Sequence, residues 1–147
     1  MKRIIALLLG LLMLFLCSGC LSGQPTKIKS ADFGEAKKLV QERYELTLPE
    51  SALFYGGYFD HAFRDPSIIL AFTIDQTDLA AMFSENWLQK QSVDELTIME
   101  EYLVLPSYSP VGEYDFQGEL YTHLWYAKFQ TNRYLCVLMG RHPGDSF

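Results

Sequence analysis

Leu120-Tyr121-Thr122-His123-Leu124-Trp125-Tyr126-Ala127-Lys128-Phe129-Gln130, then Thr131-Asn132-Arg133, then Tyr134-Leu135-Cys136-Val137-Leu138-Met139-Gly140 is the stretch that decides the fold class. Two apolar and aromatic runs flank a short polar turn, the pattern of a β-hairpin. Successive strand residues point to opposite faces. Tyr121, His123, Trp125, Ala127 and Phe129 therefore share one face, and Leu120, Thr122, Leu124, Tyr126 and Lys128 the other. Bulk on both faces means either a central strand covered on both sides or a face that presents aromatics to a ligand.

Working back along the chain, Ala52 to Asp60 and Ser67 to Ile74 form a second strand-like pair, separated by His61 to Pro66 with its Arg-Asp-Pro turn signal. Gly56-Gly57 within the first run marks a bulge or the close approach of another group. A helix is expected from about 33 to 47, because Asp32 and Glu35 have the spacing of a helix start and Ala36, Leu39, Val40 and Tyr44 follow at helical intervals before Pro49. Asp75 caps a further expected helix with Leu79, Met82, Phe83 and Trp87 on one side. Ser92 to Glu95 has the form of a capping box, and Leu96, Met99 and Leu103 continue it, although Tyr102 to Leu105 is equally good strand material. Pro106 to Gly118, with two Pro and two Gly, reads as a long loop. The expectation is one α+β domain over 32–147, in the order αββα(α)ββ: a mainly antiparallel four-stranded sheet of two hairpins, with two or three helices on one face.

Size and composition agree with one domain. The 147 residues are 49% hydrophobic and 20% charged, with 12 basic and 18 acidic side chains and a net charge of −6. Such apolar content excludes a disordered chain, and neither a collagen period nor a solenoid repeat is present.

The amino terminus has a separate logic. Met1-Lys2-Arg3 supplies cations, Ile4 to Leu16 an apolar run of 13 residues, and Cys17-Ser18-Gly19-Cys20 a small-residue exit. That is the plan of a secretory signal. As a helix the run rises about 20 Å, short of the roughly 30 Å of hydrocarbon that a span must cross. Ser18, Gly19 and Cys20 resemble the lipobox of the bacterial lipoproteins, with Cys17 where that family prefers Leu. The resemblance covers only these residues. It implies cleavage between Gly19 and Cys20, transfer of diacylglycerol to the Cys20 sulfur and an N-acyl chain on the new amino terminus. No other cofactor is expected. It further implies a protein anchored to the membrane and facing outward, sorted to the outer membrane if the host has two, since Leu21 rather than Asp follows the Cys. Residues 1–19 are then the signal peptide, and 20–31, with Ser22, Gly23, Pro25 and Ser30, a flexible tether. A redox pair or half zinc site at Cys17 and Cys20 lacks any supporting context.

Loss of Lys2 and Arg3 leaves 10 basic and 18 acidic side chains, a charge of −8. Nucleic acid and anionic lipid head groups are thereby disfavoured as partners. With Cys20 acylated, only Cys136 remains, so the core must hold without an internal disulfide.

Candidate chemistry is sparse. His61, His123 and His142 have no spacing that makes them converge, and His123 reads as a packed or half-buried residue. Counting from the turn at Asn132 puts Cys136 opposite about residue 128, too far from His123 for a thiol and base pair. Asp75 and Asp78 read as helix-cap residues rather than a metal or acid-base pair. Glu113, Asp115 and Glu119 fall in the long loop without EF-hand spacing, and no metal site is expected. No hydrolase, zinc-protease, phosphate-loop or dinucleotide motif occurs, so no catalytic residue is named. Aromatics near Gly56-Gly57 and around the long loop serve a core or a recognition surface, with Tyr108, Tyr114 and Trp125 as candidate contacts. The expected function is a non-enzymatic, lipid-anchored module binding a protein or envelope component. An inhibitor or immunity-type protein, a small-ligand carrier and an envelope enzyme are the alternatives.

Overall fold

The structure, a computed structural model, describes residues 25–60, 67–93, 103–118 and 121–141. Its strands are β1 (Thr26–Lys27), β2 (Leu53–Asp60), β3 (Ser67–Asp75), β4 (Trp87–Gln89), β5 (Gly112–Phe116), β6 (Tyr121–Gln130) and β7 (Arg133–Arg141). One α-helix, α1 (Phe33–Tyr44), follows a 3-10 turn at Ser30–Asp32, and a second 3-10 segment spans Gln76–Met82. The strands form a single seven-stranded sheet in the order β1-β2-β3-β7-β6-β5-β4, with every pairing antiparallel.

This corrects the expected four-stranded sheet with two or three helices on one face. The β2–β3 and β6–β7 hairpins both form, but β3 also pairs with β7 over eight register partners and fuses them into one sheet. Three further strands come from stretches read otherwise. β1 lies inside 20–31, the stretch read as a tether, and Ile28 beside it is buried. β5 lies inside the expected loop 106–118. β4 lies in the expected helix after Asp75, where only the 3-10 segment forms. Past Met82 the chain leaves the helical path: Phe83 bridges to Leu46, and Ser84 Oγ and Asn86 Nδ2 both donate to Glu45 Oε2, at 2.9 and 2.8 Å. Such side-chain bonds compete with helical ones. Most of the expected helix or strand at 92–105 lies outside the described residues.

α1 covers one face of the sheet. Ala36, Val40 and Tyr44, four residues apart, are its buried stripe. The helix ends at Tyr44, three residues before the expected 47, because Glu45 turns into the left-handed region at φ 51° and sends Leu46 into the core. The Tyr44 ring lies against Gly140 of β7, where any β-carbon would overlap it. Ile68, Leu70, Phe72, Ile74, Leu124, Cys136 and Leu138 complete this core layer.

The opposite face carries a second apolar layer of Tyr58, Ile69, Ala71, Trp125, Leu135, Val137 and Met139, covered by Leu103, Leu105 and Tyr108. β3 is consequently buried at all seven positions from Ile68 to Ile74. A strand flanked on both edges and covered on both faces reads as a continuous apolar run even in an antiparallel sheet. β6 is likewise central, which decides the alternative posed by its two bulky faces. The close approach signalled by Gly56-Gly57 is also present: the register shifts between Phe54 and Gly56, and a β-carbon on Gly56 would stand 2.5 Å from Leu103 Cδ1.

Candidate functional site

The alternation of β5 builds a charged cluster that interrupts this second face. Tyr114 and Phe116 pack with the α1-side core, so Glu113 and Asp115 between and beside them point the other way. In register, Glu113 stands opposite Trp125 and Asp115 opposite His123 on β6. Directly opposed side chains of an antiparallel pair have β-carbons about 4.5–5.5 Å apart, close enough for short polar side chains to meet. His123 Nδ1 accordingly lies 2.7 Å from Asp115 Oδ1 and 3.2 Å from Glu113 Oε1.

Lys90, just beyond β4, closes the cluster. Its backbone N–H donates to the Glu113 carbonyl at 2.9 Å, and its Nζ lies 3.2 Å from Glu113 Oε1 and 3.9 Å from Asp115 Oδ2. The Glu113 side chain is wholly buried, whereas those of Lys90, Asp115 and His123 are 24%, 26% and 29% exposed. A carboxylate removed from water requires charged or hydrogen-bonding partners, and Lys90 and His123 supply them. Facing two carboxylate oxygens, Nδ1 donates to them in the tautomer that carries the proton there, and these contacts fix the ring's orientation. The His123 ring lies 5.3 Å from that of Trp125, centroid to centroid. Trp125 is 5% exposed, and its buried Nε1–H has no acceptor.

The arrangement offers three ligand atoms, one from each of Glu113, Asp115 and His123, all within 4.8 Å of one another. It also offers a half-exposed donor and acceptor surface with a balancing ammonium. Sequence reading missed it by assigning Glu113 and Asp115 to a solvated loop. The signal was present in Gly112-Glu113-Tyr114-Asp115-Phe116, whose polar and apolar residues alternate with the period of a strand.

The other candidates are dispersed. Trp125 and Tyr108 belong to the second core layer, and the Tyr108 hydroxyl is buried without a partner. Burial pushes the Tyr108 phenol well above its ordinary value. Tyr114 lies on the α1 side, stacked on Phe83 with centroids 4.0 Å apart, so the three aromatic contacts do not form one surface. Cys136 stands opposite Tyr126, not residue 128, because the turn is centred between Thr131 and Asn132 rather than on Asn132 and a bulge between Lys128 and Gln130 shifts the register once more. It faces the α1-side core while His123 faces away, and burial pushes its thiol far up. Asp75 and Asp78 make no side-chain cap: Asp75 binds Arg133, and Asp78 accepts from Ser51 Oγ. Gly19, Cys20, His61, Glu119 and His142 lie outside the described residues.

In comparisons with known proteins, no family model, no curated protein and no solved structure matches the chain. Among the described residues, no helix is long and apolar enough to cross a membrane.

Proposed function

We propose that the chain is a lipid-anchored binding module displayed on the outer side of a bacterial membrane, and that it meets its protein or envelope partner at the Lys90–Glu113–Asp115–His123 cluster. The observation that carries this reading is a buried carboxylate set into a largely apolar sheet face and ringed by three part-exposed polar side chains. Packing alone gains nothing from a charge there, since desolvation opposes it. Recognition of a polar group does. The anchor is the Ser18-Gly19-Cys20 lipobox, and tethering raises the concentration of the module at the surface where its partner is held.

The −8 charge expected after removal of the signal favours a basic partner, which also suits an inhibitor or immunity-type role. Cross-linking in cells, with a C-terminally tagged chain, compares the wild type with Cys20→Ala and Asp115→Asn. The wild type is expected in the membrane fraction with a stoichiometric partner, Cys20→Ala to leave that fraction, and Asp115→Asn to remain there without the partner. Continued membrane retention of Cys20→Ala sinks the anchor. Undiminished recovery of the partner by Asp115→Asn sinks the cluster's role.

A further inference from the structure

We infer that Glu113, Asp115 and His123 are a binding site for a divalent transition-metal cation of the Zn2+ type, and that Lys90 is a resident counter-cation which the metal displaces. The inference concerns the same cluster as the proposed function but does not depend on a partner or an anchor.

The donor set is the first ground. One imidazole nitrogen and two carboxylate oxygens suit a borderline cation such as Zn2+, which takes both at about 2.0–2.2 Å. Neighbouring ligand atoms around such an ion lie roughly 3.3–3.5 Å apart. Nδ1 is already 3.2 Å from Glu113 Oε1 and 2.7 Å from Asp115 Oδ1, and all three ligand atoms lie within 4.8 Å of one another, so a shift of the part-exposed Asp115 side chain completes the spacing.

The scaffold is the second. Glu113 and Asp115 alternate along β5, and His123 lies across from Asp115 on β6. Placement on paired strands holds ligands more firmly than placement on a loop. Charge is the third. A doubly charged cation is attracted by the paired carboxylates of Glu113 and Asp115, from which the flexible, part-exposed Lys90 side chain can withdraw.

A separate observation points to a ligand. Trp125 is directly opposite Glu113 and its ring neighbours that of His123, yet its N–H, nine-tenths buried with the residue, has no acceptor. Buried donors in native proteins are normally satisfied. Three protein ligands leave Zn2+ a fourth position for a water or an anionic oxygen, an acceptor of the chemical kind this donor lacks.

The test is a Zn2+ titration of the untagged full chain in detergent micelles against a chromophoric chelator, repeated with Co2+ to read its d–d absorption. Cys17→Ser and Cys20→Ser are present throughout, so that no signal-peptide thiol competes. One equivalent is expected to bind saturably. His123→Ala and Asp115→Asn, each checked for retained circular dichroism, should weaken binding by at least about tenfold. Lys90→Met should tighten it, since the competing cation is gone. Non-saturable binding overturns the site, as does an affinity that His123→Ala and Asp115→Asn leave unchanged. Weaker binding in folded Lys90→Met overturns the counter-cation role.

Discussion

Arg133, the first residue of β7, and Asp75, the last of β3, are register partners, and Arg133 Nη1 lies 2.6 Å from Asp75 Oδ1. The same guanidinium donates through Nη2 to the Ser51 carbonyl at 2.7 Å and to Thr73 Oγ1 at 3.0 Å. One side chain thus ties the turn of the second hairpin to the strand that joins the two hairpins and to the segment leading into β2. Arg133→Met is expected to lower stability to urea by about 1–3 kcal/mol, since it leaves three acceptors without a charged donor. Arg133→Lys should recover little of this, because an ammonium lacks the planar fork that serves several acceptors at once. Asp75→Asn should cost under about 1 kcal/mol, as Asp75 is half exposed.

Trp87 Nε1 donates to the carbonyl of Tyr44, the last residue of α1, at 2.8 Å within the core. Carbonyls at a helix C-terminus have no partner within the helix. Trp87→Phe keeps most of the ring and removes the donor, so a loss of about 1–3 kcal/mol is expected from the stranded carbonyl and the smaller ring. Hydrogen exchange should quicken first in the last turn of α1.

Gly56 and Leu103 admit a double-mutant cycle. A β-carbon at 56 would press on Leu103 Cδ1, so Gly56→Ala should destabilise by about 1–3 kcal/mol. Combined with Leu103→Ala, which vacates that space, the two losses should sum to less than their separate values by at least about 0.5 kcal/mol. Strict additivity in chemical denaturation would show that residues 103–105 do not press on the sheet.

Burial raises the phenol pKa of Tyr44, Tyr108, Tyr114 and Tyr126 above the ordinary value of 10.0. Above that pH the unfolded chain loses these protons first and binds fewer than the native state, so stability falls as pH rises. The contribution is complete below pH about 10 and is lost above it, at up to about 1.4 kcal/mol per pH unit for each of the well-buried Tyr44 and Tyr108. Cys136, also pushed up by burial, adds loss of the same sign from pH about 8.5. Urea midpoints between pH 8 and 11 should decline with an upward-curving loss, which Tyr108→Phe flattens.

Strong periodicity was legible and weak or broken periodicity was not. The hairpins of β2–β3 and β6–β7, and α1 with Ala36, Val40 and Tyr44, rest on local patterns that the sheet reinforces. Leu79, Met82, Phe83 and Trp87 show the opposite case: helical spacing marked them as apolar partners of the core, yet a 3-10 segment followed by a strand takes them there. β1 and β4, of two and three residues, are too short to carry a period and exist because longer neighbours offer an edge. The charged cluster depended on pairing. Nothing along the chain relates Glu113 to His123 until β5 is seen to lie beside β6.

The short edge strand β1 gains significance under the proposed lipid anchoring. Thr26 and Lys27 pair with Phe59 and Tyr58, so only the five residues Leu21 to Pro25 separate Cys20 from the sheet. Fully extended, they reach about 17 Å. Strands lie about 4.8 Å apart, so β4, six places from β1 in the sheet, stands roughly 29 Å from it. On the proposed acylation of Cys20, this length is a short leash that holds the β1 edge near the lipid head groups, while Lys90, Glu113, Asp115 and His123 belong to the opposite side of the sheet.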